Sequence, residues 1–135
     1  MAIDSYLAVT LIWIFHRATF RGMFQWDASN ALGDAAYGGG WGTVALGMAM
    51  HLVVSTIWAT AFVVAATRIP ALLRQPLVFG ALFGLVVMLF MAHVVVPLGH
   101  AAKFPQPLPI FINQLVAHVV FFGIPVALVA KRTLE

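Results

Sequence analysis

The sequence predicts an all-α membrane protein, with four transmembrane helices and a short interfacial helix after the first, in a single polytopic domain over residues 1–135. Three observations carry that expectation. Hydrophobic residues make up 63% of the 135 residues and charged residues 8%, whereas soluble domains carry roughly a quarter charged residues. Mean hydropathy is +1.02. The charges are also segregated, with none between Ala35 and Thr67, between Gln75 and Ala102, or between Phe104 and Ala130. Each stretch exceeds the ~20 apolar residues that cross ~30 Å of hydrocarbon as a helix.

The first span is expected over about residues 2–20, from MAIDSYLAVTLIWIF into His16 and Arg17. Arg17 and Arg21 can snorkel to the headgroups, and Asp4 lies near enough to the start to reach the interface. A signal peptide is the competing reading, but the segment lacks a basic n-region and a small-residue cleavage site. The following connection alternates Phe20, Met23, Phe24 and Trp26 with Arg17, Arg21 and Gln25, as expected of a helix lying in the interface around residues 24–34. Asp27 or Ser29 is a candidate cap for it and Gly33 its end. Gly38, Gly39 and Gly40 then allow a sharp turn into the second span; they match no phosphate-binding glycine spacing.

The second span is expected over residues 41–67, and Arg68, Pro70, Arg74 and Pro76 form a turn after it. The third covers 77–98 and breaks at Pro97 and Gly99. Lys103 and the PQPLP run make an extended connector, since successive prolines exclude helix. The fourth covers 109–130, with a kink expected at Pro125 after Gly123.

Charge and cysteine count exclude several classes. No cysteine is present, so disulfides, thiolate metal sites and cysteine nucleophiles are absent. The net charge of +3 comes from basic residues at span ends, the pattern of membrane anchoring, and no nucleic-acid partner is expected. Four spans put both termini on the side of Arg68, Arg74, Lys131 and Arg132; Arg17, Arg21 and Lys103 fall opposite, so N-in and C-in is the expected topology.

The polar groups at membrane depth are the candidate site. His51 shares a helical stripe with Gly47, Ser55 and Trp58. The third span places Leu82, Val86, Leu89, His93 and His100 on one stripe, with Gly80 and Gly84 opposite as a close-packing face. The fourth aligns Phe111, Gln114, His118 and Phe122. Polar side chains at such depth usually face a bundle interior, so an intramembrane polar cluster of His51, His93, Gln114 and His118 is expected, with His51 bonded to the third or fourth span. Gly47, Gly80 and Gly84 are the expected helix-packing positions. The cluster can be structural, a proton relay or substrate site, or a haem or metal site, for which His51 and His118 form the fair pair. No metal, cofactor or catalytic residue is expected: no acid is expected at the depth of Ser55 and His51, and no nucleophile elbow occurs.

The runs ASNALGDAAYGGGWGTVALGMAMH, RIPALLRQPLVFGALFGLVV, VVPL and AHVVFFGIPVALVAKR resemble those of small, uncharacterised bacterial inner-membrane proteins, and more loosely the YagU-like family. The resemblance implies an inner-membrane location and a four-helix plan, and supplies no catalytic residues. The chain departs from it in a short first helix and in lacking a long first loop. The function expected is non-enzymatic, working by association in the lipid bilayer as a homo-oligomer or with a membrane-protein partner. The alternative is a minimal proton-linked carrier or channel using the histidine cluster. A carrier usually holds an intramembrane carboxylate, and Asp4 is the nearest approach to one in this reading.

Overall fold

The computed structural model describes residues 19–101 and 108–135. The expected first span, with Asp4, and the PQPLP connector lie outside the described residues. Within them, all regular structure is helical.

Helix α1 spans Phe20–Leu32. It begins one residue after Thr19, whose hydroxyl accepts from the Gly22 N–H at 3.0 Å, so Asp27 and Ser29, the expected caps, sit inside the helix. Gly33, at φ 60°, ends it and returns its N–H to Ser29 O. A single turn, α2 (Ala35–Gly38), follows. Gly40 then adopts φ 61° at the start of α3 (Gly40–Arg68), a left-handed conformation open to glycine at little cost. The short α4 (Ala71–Arg74) lies between Pro70 and Pro76. Helix α5 runs over Pro76–Leu98 and α6 over Leu108–Leu134.

Three of these helices, α3, α5 and α6, are long and apolar enough to cross a membrane, which makes the chain a multi-pass membrane protein. Both α5 and α6 widen into π-helical turns, at Met91–Val95 and Ala117–Gly123. Each widened stretch ends two residues before a proline, Pro97 or Pro125. Proline has no N–H and its ring crowds the carbonyl four residues back, so a wider turn there relieves the clash and keeps the helix continuous.

The spans pack by two means. Between α5 and α6 the backbones meet: a Cβ on Gly80 would lie 2.8 Å from Gly123 O, one on Gly84 would overlap His118 O, and one on Gly123 would overlap Gly80 O. The Gly80–Gly84 face is therefore occupied by α6 of the same chain. Aromatic rings fill the space to α3, with Phe83 4.9 Å from Phe62 and 6.0 Å from Phe122, and Trp58 5.2 Å from Phe90, between ring centres. At the Arg68–Arg74 end, Phe62, Ala66, Leu73, Ala127 and Ala130 form a buried apolar cluster. There the Lys131 ammonium donates to Leu73 O at 3.1 Å, tying the end of α6 to α4.

Candidate functional site: the polar seam between α1 and α3

At the opposite end of the bundle α1 lies across the first half of α3. The approach is close at one point, where a Cβ on Gly47 would overlap the backbone of Phe24. Around that point the contact is polar. The Gln25 carboxamide, buried at 5% exposure, donates toward Tyr37 O at 3.4 Å, Gly40 O at 3.3 Å and Thr43 Oγ1 at 3.3 Å. The Thr43 hydroxyl donates in turn to Ala36 O at 2.6 Å. Gln25 and Thr43 thus tie α1 and the first turn of α3 to the backbone carbonyls of the intervening α2 turn.

One turn deeper, Asp27 Oδ2 lies 3.5 Å from His51 Nδ1, with side-chain exposures of 20% and 35%. Phe24 presents its ring to the same imidazole edge-on, centroids 6.1 Å apart. Helix α3, at 29 residues, covers ~43 Å, about the thickness of a bilayer with its headgroups. His51 lies ~16 Å along it from Gly40, which would be ~10 Å inside the hydrocarbon boundary of a bilayer centred on α3. A lone carboxylate at the bilayer centre costs about 2.5–3.5 kcal/mol on insertion scales. Beside an imidazole the cost falls, because the pair can hold one proton as imidazolium and carboxylate or as two neutral groups.

The end of α1 is held by the turn that follows α5. His100 N–H donates to Asn30 O at 3.0 Å, and a Cβ on Gly99 would lie 2.7 Å from Asn30 Oδ1. That Oδ1 is buried without a hydrogen-bond partner, as are both polar atoms of the Asn113 side chain on α6.

The residues expected to converge occupy different settings. His51 is half-buried and meets Asp27 of α1. His93 is exposed, on the outward stripe with Leu82, Val86 and Leu89. Its Nδ1 lies 2.9 Å from Leu89 O of its own helix. His118 is half-buried and makes the same contact one turn back, Nδ1 to Gln114 O at 2.8 Å. Both rings sit in the π-helical turns. A carbonyl only accepts, so these contacts assign the proton to Nδ1 in each neutral ring and leave the lone pair on Nε2. Among the described residues no three His, Asp or Glu side chains are grouped to hold a metal ion.

Sequence reasoning assigns Asp27 to a helix cap and Gln25 to an interfacial surface, and so misses both as site residues. The available signal is spacing: Phe24 and Asp27, three apart, lie on one face of a helix, and Gly47 and His51, four apart, lie on one face of the next. No family model matches the chain, and no curated protein or solved structure gives a significant match.

Proposed function

We propose that the protein is a non-enzymatic, proton-linked protein of the bacterial inner membrane, with Asp27 and His51 as its intramembrane proton-binding pair. The observation that supports this reading is a carboxylate 3.5 Å from an imidazole, on a helix whose length would set that imidazole ~10 Å inside the hydrocarbon of a bilayer centred on it. Carrier chemistry needs a group that binds and releases a proton away from water; a carboxylate–imidazole pair holds that proton with no net charge, as a neutral pair or as an ion pair, and carries one negative charge once it is released. In the proposed topology a first span over residues 2–20 precedes α1, and α1 dips from the interface into the bundle instead of lying flat. Both termini are cytoplasmic, supported by the basic residues Arg68, Arg74, Lys131 and Arg132 at one end. Inner-membrane placement rests on the resemblance to YagU-like and other small inner-membrane proteins.

The test is reconstitution into vesicles enclosing a pH-sensitive dye. Wild type is expected to dissipate an imposed proton gradient, and Asp27→Asn and His51→Ala each to slow that at least tenfold. Unchanged flux in either variant, or none in wild type, overturns the reading.

A second reading, association as a homo-oligomer or with another membrane protein, is favoured by His93. Its ring is exposed on an outward apolar stripe, where polar groups in membranes usually face protein. A wild-type protein that shows no flux but purifies as a stable oligomer would support it.

A further inference from the structure

The other end of the bundle holds a feature that the proton pair does not use. A cleft of about 510 Å³ opens between the start of α5 and the end of α6, lined by Arg74, Leu77, Val78, Leu128 and Lys131 among others. Its composition changes with depth. Arg74 and Lys131 stand at the rim, level with the turn of α4 and the last turns of α6. Leu77, Val78 and Leu128 form an exposed apolar wall below them. Lys131 keeps its donor to Leu73 O, which fixes the ammonium at the rim, and its second contact, Glu135 at 3.5 Å, is on an exposed side chain.

We propose that this cleft is a binding site for an anionic phospholipid, with the phosphate between Arg74 and Lys131 and the first part of an acyl chain along Val78 and Leu128. The occupant follows from the chemistry. Among the described residues, four cations, Arg68, Arg74, Lys131 and Arg132, lie at this end of the bundle with one acidic side chain, Glu135. Basic clefts between spans at the membrane surface take acidic headgroups, and each cation adds to the attraction toward an anionic leaflet. Guanidinium and ammonium groups both hold phosphate, the former bidentately. A soluble phosphate compound would use the basic rim alone, whereas a phospholipid places its phosphate at the rim and its chain along the apolar wall. The site therefore prefers acidic lipid over zwitterionic lipid, and the preference belongs to two side chains.

Native mass spectrometry of detergent-purified protein, titrated with equal amounts of phosphatidylglycerol and phosphatidylcholine, tests this directly. Wild type is expected to retain phosphatidylglycerol at least fivefold more. R74Q and K131Q should each reduce that preference at least twofold, and together abolish it. K131R should preserve it, as should R132Q, which removes a charge of the same sign outside the cleft. Equal retention of the two lipids by wild type overturns the proposal, as does an unchanged preference in the R74Q/K131Q double variant. An equal loss in R132Q would mean diffuse charge attraction with no site. Displacement of the bound lipid by millimolar glycerol 3-phosphate would assign the cleft to a soluble phosphate compound instead.

Discussion

Between α5 and α6 the backbones meet with almost nothing between them: Gly80 and Gly84 lie against Gly123 and the His118 carbonyl, at distances that leave no room for a methyl group. Between α1 and α3 the contact runs largely through side chains that bond, Gln25 to Thr43 and to the carbonyls of Tyr37 and Gly40, and Asp27 to His51. Apolar side chains gain little in lipid by touching each other, since the tails are equally apolar; close backbone packing and polar bonds are what remain to join helices. The glycine seam joins backbone to backbone, so its close contacts do not themselves depend on a proton. The polar seam can change its bonding when one proton moves, which is why the proposed function is placed there.

Filling the glycine seam should have the largest effect. Gly84→Leu sets a side chain on the His118 backbone and is expected to cost at least about 3 kcal/mol, the upper part of the overpacking range, seen as loss of the folded band in detergent melts followed by helical circular dichroism. Gly47→Ala probes the one place where the polar seam also relies on backbone approach. A methyl there meets Phe24 O, and about 2 kcal/mol should be lost. A cost near zero would mean α1 is free to move off α3. Gln25→Ala removes bonds of 3.3–3.4 Å to three acceptors, and the same melts should fall by about 1 kcal/mol, given ~0.6 kcal/mol for a mean interhelical bond in a membrane. Asp27→Asn should change stability least, by under about 1 kcal/mol, because the carboxamide can still hydrogen-bond His51 and a mean interhelical bond in a membrane contributes only ~0.6 kcal/mol, while removing proton flux. A large stability loss with flux retained would reverse the division between the seams.

The spans are legible in the sequence because lipid imposes one rule on long helices: exclude charge over enough residues. The apolar stretches read as spans over 41–67 and 77–98 lie in the helices Gly40–Arg68 and Pro76–Leu98. The fourth continues past 130 because Lys131 and Arg132 extend the last turns at the basic end. Prolines mark where a helix must adjust, but Pro97 and Pro125 alone do not reveal that the adjustment is a π-helical turn placed upstream, around His93 and His118.

The site is less legible. His51 announces itself as an imidazole in an apolar run, yet its partner comes from a helix whose mixed composition reads as interfacial. Asp27 and Gln25 look like surface residues until α1 is laid across α3. That placement depends on Gly47, whose missing side chain admits Phe24, and no single-helix periodicity reports on a contact between helices. His93 shows the converse. The pattern puts it on a stripe, but period alone does not say that the stripe faces outward.

Whether the polar seam exists in a bilayer comes down to the proximity of Asp27 and His51 inside the membrane. The chain has no cysteine, so Asp27→Cys combined with His51→Cys gives a background-free pair of thiols. In native membranes a short bifunctional thiol reagent should join the two within one chain, and a membrane-impermeant maleimide should label the thiol at position 27 slowly. Rapid labelling at position 27 with no intramolecular link would mean that α1 lies flat in the interface, and the intramembrane pair would not exist.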